Sequence, residues 1–389
     1  MAAIDDDGTH GHPHRQPATM LAQGLGTLAS NQGAVVVGWQ PATTFKRDAL
    51  EPDRPVYIRD QGPSLAAAES MLSTLEGGAG AMLYSSGMAA ATAPFLALQP
   101  GQTVLFPDMC YWTLRNFVHE QADHVGLRLI TYRSGDLTDL AAKIPSSGAD
   151  LIWVETPANP TWVLTDIAAV AGLARPAGAR VVVDSTCAAP LLTQPLAHGA
   201  DLVMHSATKV LNGHGDVLAG ALVTAQDDEA WVGLKRQRAH HGNQLGAFEG
   251  WLLTRGMRTL SVRLQRMCAN AMSLAGQLSA HPAVEAVLYP GLDVDQALVA
   301  RQMRGIGGYM LSFLVKGGAT VAHAVPQHCQ LIHNATSLGG VESLIEHRKA
   351  VEGDTSPCPD ALVRMSVGIE DLGDLWADLD QALSRAARG

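Results

Sequence analysis

The chain has 389 residues, enough for a large domain and a smaller one, and is 47% hydrophobic and 16% charged. A formal net charge of −10 leaves no basic stripe for nucleic acid or an anionic membrane surface, and no apolar run reaches the length of a membrane span. Five scattered cysteines without a Cys-x-x-Cys pair give neither a disulfide framework nor a metal site, so free thiols in a cytoplasmic protein are expected.

Met1 to Pro17 is acidic and His-rich and reads as disordered; it lacks the basic region and apolar core of a signal peptide. Gly24-Leu-Gly-Thr-Leu-Ala29 fits the dinucleotide pattern G-x-G-x-x-A but follows no predicted strand, so that reading is rejected. Tyr57-Ile-Arg59 is extended and runs into a turn at Gly62-Pro-Ser64. Ser64 is expected to cap a helix with Leu65, Ala68, Leu72 and Leu75 on one face, closed by Glu76-Gly-Gly78. A strand at Ala81 to Tyr84 leads into Ser85-Ser-Gly-Met-Ala-Ala90, where a helix opens. Small residues at a helix N-terminus leave backbone N–H groups free for a phosphate; they equally make an ordinary strand–helix turn.

Strands are predicted at Thr103 to Phe106, Leu127 to Tyr132, Leu151 to Glu155, Val181 to Asp184, Leu202 to His205 and Ala219 to Thr224. Helical stretches such as Leu164 to Ala174 separate several of them. That alternation implies a mostly parallel sheet with helices on both faces, and ligands bound beyond the carboxyl ends of its strands. Tyr111 and Asn159 fall just past two such ends, placed to contact a ligand or to serve as a packed tyrosine and a turn asparagine.

The segment Asp201-Leu-Val-Met-His-Ser-Ala-Thr-Lys209 carries the most chemistry. A lysine beyond a buried strand is desolvated, which lowers its pKa and makes it a nucleophile able to form a Schiff base. Ser206 and Thr208 are placed to bond a phosphate on the same ligand. Asp184 closes another apolar strand, and a carboxylate there suits the ring nitrogen of pyridoxal phosphate. Taken singly, Lys209 is also a surface lysine opening a helix and Asp184 a strand-end turn residue. No G-x-x-x-x-G-K-[ST] loop is present, which removes a nucleotide-binding ATPase. Cys187 reads as a small buried filler near the Asp184 turn.

From about Leu245 to His281 the pattern is helical, with Arg255, Arg258, Arg263 and Arg266 along it, and Pro290-Gly291 breaks it. Tyr309 to Val315 and Leu362 to Ile369 read as strands, and Leu372 to Ala386 as an amphipathic helix. This is a smaller α+β domain. Arg364 inside an apolar strand needs an anionic partner, either a substrate carboxylate or a structural acid.

From about Thr19 onward the chain resembles the Cys/Met-metabolism family of pyridoxal-phosphate enzymes. The resemblance rests on Ser85-Ser-Gly-Met-Ala-Ala90, Glu155-Thr-Pro-Ala-Asn-Pro-Thr161, Val183-Asp-Ser-Thr186, His205-Ser-Ala-Thr-Lys-Val-Leu-Asn-Gly-His214, Ser337-Leu-Gly-Gly-Val-Glu-Ser-Leu344 and Arg364-Met-Ser-Val-Gly-Ile-Glu370. Each motif is weak alone; their common order is specific. The resemblance implies an aspartate-aminotransferase-like (type I) fold with pyridoxal 5'-phosphate on Lys209, Asp184 at the ring nitrogen, Tyr111 stacked on the ring and Asn159 at the ring hydroxyl. It further implies that Gly87, Met88, Thr186, Ser206 and Thr208 belong to the cofactor site, and that Tyr57 and Arg59 complete a neighbouring subunit's phosphate site. Arg364, with Ser337 and Thr336 nearby, would take the substrate. Residues 1–62 would form an arm reaching that neighbour, 63–244 the cofactor domain and 245–389 the small domain, assembled as a dimer of dimers.

Departures from the family pattern concern the substrate. Gly62-Pro-Ser64 stands where Asn-Pro-Thr is usual, and Glu346-His-Arg-Lys-Ala-Val-Glu-Gly353 replaces a Pro and a Met-Thr-His. Thr336 occupies the place of a glutamate common in members acting on cystathionine, and Tyr111-Trp-Thr113 replaces the Tyr-Gly-Cys of methionine γ-lyases. The implied activity is a transsulfuration-type carbon–sulfur lyase working by γ- or β-elimination on a cystathionine-, methionine- or homoserine-like amino acid. The alternative is γ-replacement on an O-acyl-homoserine, as in cystathionine γ-synthase.

Overall fold

In the computed structural model the described residues are 15–24, 35–36, 38–47, 49, 55–292, 296–353 and 356–388. The His-rich stretch to residue 14 and positions 25–29 of the Gly24–Ala29 pattern lie outside them. After α1 (Pro17–Gln23) and α2 (Pro63–Glu76), strand and helix alternate: β1 (Gly80–Tyr84), α3 (Gly87–Leu96), β2 (Thr103–Pro107), α4 (Trp112–Val125), β3 (Arg128–Tyr132), α5 (Leu137–Ser147), β4 (Leu151–Glu155), α6 (Ile167–Ala177), β5 (Arg180–Asp184), α7 (Ala189–Leu192), β6 (Leu202–His205) and β7 (Gly220–Thr224). Helices α8 (Glu229–His241), α9 (Ala247–Met257) and α10 (Leu260–Ser279) lead to β8 (Val284–Leu288), α11 (Gln296–Gln302), β9 (Met310–Val315), α12 (Gly318–His328), β10 (His333–Asn334), β11 (Leu344–His347), α13 (Arg348–Glu352), β12 (Leu362–Ser366) and α14 (Leu372–Ala386).

The first sheet runs β1-β7-β6-β5-β4-β2-β3. Strands β2 to β6 are parallel to one another, while β7 is antiparallel to both β6 and β1. Largely apolar runs form the inner strands, where helices cover both faces, while the edge strand β3 keeps Arg128 and Thr131 exposed. Alternate residues supply opposite layers: Val182 packs with Phe106, Trp153 and Met204, whereas Val181 and Val183 pack with Ile152, Val154 and Ile167. The second sheet, β10-β11-β12-β9-β8, is antiparallel except at β10–β11. Leu375, Leu379 and Leu383 of α14 lie four apart and pack in its core, and Asp371 caps that helix through the N–H groups of Gly373 and Asp374.

Three boundaries differ from the sequence reading. The cap of α2 is Gly62, because Pro63 fits the first helical position with its fixed φ and missing N–H. Ser64 instead sits inside the helix, buried, bonding the backbone N and O of Gln40 at 2.9 and 3.3 Å. The helical region from 245 to 281 is two helices, broken at Arg258 and Thr259. The strand begun at Leu362 stops at Ser366, after which the N–H of Gly368 turns to Ser343 Oγ at 2.8 Å.

Helix α10 belongs to both halves. Leu260, Leu264 and Met267 pack in the core beneath the first sheet, and Ala271, Leu274 and Leu278 in the core of the second. Among the described residues no helix is long and apolar enough to cross a membrane.

Candidate active site

Parallel strands end together, so the loops after β2, β4, β5 and β6 meet at one edge of the first sheet. Thr336, Ser337, Arg348 and Arg364, from around the second sheet, lie against them. Between the two lies a cavity of about 440 Å³, within the usual range for small-molecule sites.

Lys209 lies three residues beyond Ser206 in the loop leaving β6. Its Nζ donates to Ser337 Oγ at 3.0 Å, and burial, helped by the neighbouring Arg364 charge, lowers its pKa. Ser337 holds this position with a φ of 111°, a strained conformation for a residue with a Cβ. Behind the lysine, buried Arg263 of α10 donates to the carbonyls of Val210, Leu211 and Gly256 at 2.8, 3.2 and 2.9 Å. Gly213 is demanded twice over: its φ is 72°, and a Cβ there would meet Arg263 Nη1 at 1.9 Å.

Asp184 ends β5 inside the cavity. Thr186 bonds its Oδ1 through both N–H (3.0 Å) and hydroxyl (2.5 Å), and the same hydroxyl accepts the Ser206 N–H at 2.8 Å. Burial lifts the pKa of Asp184, against the pull of the Thr186 bonds. Such a carboxylate wants a cationic partner.

At the other end of the cavity, Ser86 caps α3 by accepting the Ala89 N–H at 3.0 Å, leaving Gly87 and Met88 in the first turn. A Cβ at Gly87 would lie 2.5 Å from Ser206 Oγ, so only glycine lets the helix start reach the Ser206 loop. Backbone N–H groups at such a helix start suit an anion. The hydroxyl of Thr208 lines the cavity but is engaged with Ala219, donating to its O at 3.1 Å and accepting from its N at 2.9 Å.

Tyr111, 39% exposed at the start of α4, presents its ring to the cavity. Sequence reasoning missed the residue that fixes it. Glu155, at the end of β4 and in register with Asp184, accepts the backbone N–H of Tyr111 at 2.7 Å and of Asn159 at 2.8 Å. Burial, and next the charge of Asp184, raise its pKa. Its signal was available, since a carboxylate closing an apolar strand also marks Asp184. Cys187 lines the cavity with a pKa raised by burial, which keeps the thiol protonated and unreactive.

Arg364 donates from Nη1 to Asn159 Oδ1 at 3.0 Å and from Nη2 to the Ser337 carbonyl at 2.9 Å, and forms an ion pair with Glu346. The anionic partner expected for Arg364 is therefore, in this structure, an internal acid. Burial exceeds the help from Glu346, and the guanidinium pKa falls to about 10. Thr336 donates its hydroxyl to Glu346 Oε2 at 3.1 Å. Tyr57 and Arg59 are not brought to this cavity: the guanidinium lies 5.4 Å over the Tyr57 ring and bonds the Ala239 carbonyl.

A buried amine of depressed pKa, a strand-end carboxylate, a free-edged tyrosine ring and a helix start opened by glycine together fit a phosphorylated pyridine aldehyde. They define an enzyme of the lysine-anchored cofactor class. A family model described as Cys/Met metabolism PLP-dependent enzyme matches residues 18–384. The chain is 42% identical to the cystathionine gamma-synthase of Mycobacterium tuberculosis over 363 residues, 90% of this chain and 92% of that protein. It is 39% identical to the L-methionine gamma-lyase of Pseudomonas putida over 342 residues, 85% of each. A solved cystathionine gamma synthase from Xanthomonas oryzae pv. oryzae, in complex with cystathionine, superposes with a TM-score of 0.92 at 34% identity, covering 97% of this chain and all of that one. The chain belongs to the Cys/Met-metabolism family of PLP-dependent enzymes and has its type I fold.

Proposed function

We propose that the chain is a PLP-dependent carbon–sulfur lyase that removes the γ-substituent of an amino acid, or the β-substituent of a shorter one. The observation that carries the reading is Lys209, with a depressed pKa, facing Ser337 Oγ at 3.0 Å across the domain boundary. PLP, when bound, supplies an electron sink for the charge left at the substrate Cα. Lys209 would hold the cofactor through Nζ and, once freed by the incoming amine, would take the Cα proton on that nitrogen; burial keeps more of the amine neutral for this work. Ser337 Oγ orients Nζ. Asp184 would turn its Oδ2 to the ring nitrogen, with Thr186 fixing Oδ1. Gly87, Met88 and Ser206 would receive the phosphate, with Thr208 beside them holding the loop through Ala219, while Tyr111 would cover the ring and Asn159 would bond the ring hydroxyl. Arg364 binds the α-carboxylate.

Two further features support wider parts of the reading. Tyr57 and Arg59 lie outside their own chain's cavity, which suits a neighbouring subunit's phosphate site, an arm formed by residues 1–62 and a dimer of dimers. All five cysteines are free, which suits a cytoplasmic protein. The division into a cofactor domain over 63–244 and a small domain from 245 follows the family pattern, with α9 and the first half of α10 packed on the former.

Lys209→Ala is expected to lose turnover and the near-visible absorbance of the freshly purified protein. Normal turnover in that variant would overturn the assignment. The similarity to a cystathionine gamma-synthase favours γ-replacement as the second reading. Incubation with an O-acyl-homoserine, with and without cysteine, separates them: 2-oxobutanoate and ammonia mark elimination, and cystathionine marks replacement.

A further inference from the structure

The stretch from β11 into α13 departs from the family pattern, and with Arg364 of β12 it forms a four-residue charge cluster against the cavity. Glu346 and Arg364 face each other in register across β11 and β12. Oε1 of Glu346 pairs with Arg364 and also accepts from Arg348 Nη1 at 2.7 Å. Arg348 turns its Nε and Nη2 onto Glu352 Oε1 at 3.0 and 2.6 Å, and Glu352 Oε2 accepts the Ser356 hydroxyl at 2.5 Å. All four side chains are between 2% and 5% exposed. Two cations and two anions sum to zero, yet the shares are unequal.

Arg348 has two carboxylates. Burial opposes its charge, but Glu346 and Glu352 together outweigh burial and raise its pKa. Arg364 has one carboxylate, and burial wins. Arg364 is thus short of negative charge in the way a receptor for an α-carboxylate must be. Glu346 stands in the way, because two carboxylates on one guanidinium repel each other. Arg348 cannot itself receive the substrate, since Nε, Nη1 and Nη2 are all engaged by carboxylates.

We propose that Arg348 is a positioning residue that shares the charge of Glu346, is fixed in turn by Glu352, and so weakens the grip of Glu346 on Arg364 when the α-carboxylate of an amino-acid substrate arrives. The inference rests on the reading of Arg364 as the carboxylate-binding group. Without Arg348, Glu346 has Arg364 as its one cation in the cluster, and an incoming carboxylate competes with an internal one. This affects every α-amino acid alike and is silent about the γ-substituent. Arg348 therefore governs affinity for the amino-acid head, leaving the choice of leaving group to other residues.

The test uses the PLP-loaded enzyme and glycine, which carries the α-carboxylate and no leaving group, with binding measured calorimetrically. Arg348→Met with Glu352→Gln removes the ion pair as a unit and leaves no additional unpaired charge. It is expected to raise the Kd for glycine by about tenfold or more. Adding Glu346→Gln is expected to return the Kd to within about threefold of wild type, a recovery that general loosening of the fold would not give. A wild-type Kd in the double variant, or no recovery in the triple, overturns the inference. Should the double variant fail to fold, Glu346→Gln alone carries the test: glycine then binds more tightly than to wild type, and an unchanged or weaker Kd overturns the inference. A wild-type enzyme that binds no glycine, but turns over a γ-substituted substrate bearing the same head, overturns it as well. One that neither binds glycine nor turns over any amino acid overturns the proposed function with it.

Discussion

Asp184 illustrates what the site demands of a single residue. Its folded pKa lies above its ordinary value of 3.8, so between the two values the folded apoprotein binds more protons than the unfolded chain. Stability therefore falls as pH rises through that window, and above it the full cost of a buried carboxylate remains. Asp184→Asn removes the cost while keeping an oxygen for Thr186. The apo variant is expected to melt a few degrees above apo wild type at neutral pH, with the gap closing as pH falls towards 4, as calorimetric scans across pH will record. On the proposed reading of Asp184 as the partner of the ring nitrogen, the same variant should hold PLP more weakly. In the sequence Asp184 is marked by the apolar run it closes, and Lys209 by its place beyond a buried strand with Ser206 and Thr208 before it. Glu155 closes a similar run, yet its role depends on two backbone N–H groups, those of Tyr111 and Asn159, whose convergence only the folded loops define. Arg348 was illegible as a holder of Glu346, for the pair acts on Arg364 from a different strand.

At the scale of elements, the loop after β6 is positioned by a helix remote in sequence. Arg263 of α10 meets three backbone carbonyls and the Thr259 hydroxyl, and burial lowers its pKa to about 10. Arg263→Met leaves the Val210 and Leu211 carbonyls without this donor, whereas the Gly256 carbonyl keeps the Thr259 N–H and hydroxyl. Each unmet buried group costs about 1–3 kcal/mol, partly offset by removing a buried charge. A net loss of about 2–4 kcal/mol in urea unfolding of the holoenzyme is expected, together with faster loss of PLP on dilution. Sequence periodicity located nearly every strand of the first sheet to within a residue or two, since such runs have no exposed face to blur them. It ran α9 and α10 together, because Arg258 and Thr259 carry no breaker signal. The register of β11 on β12, which sets Glu346 opposite Arg364, depends on pairing between distant segments.

At the scale of the whole molecule, the start of α3 beside Ser206 and the Tyr57–Arg59 pair lie at separate places on one chain. A shared site predicts that Arg59→Ala and Lys209→Ala, each inactive, regain activity when mixed under conditions of subunit exchange. One site of each mixed pair then holds both an intact Lys209 and an intact Arg59, so up to about one quarter of wild-type activity is expected from random pairing. Exchange demonstrated by differently tagged chains, with no activity returning, would end the shared-site proposal. A last consequence follows from α10, rooted in both cores. Any attempt to dissect this protein by cutting through that helix would leave two fragments with raw apolar stripes, Leu260, Leu264 and Met267 on one and Leu274 and Leu278 on the other. Neither fragment would be a self-sufficient domain, whichever side of the cut kept the lysine. The molecule is divisible in sequence and in sheets, and indivisible as a soluble object.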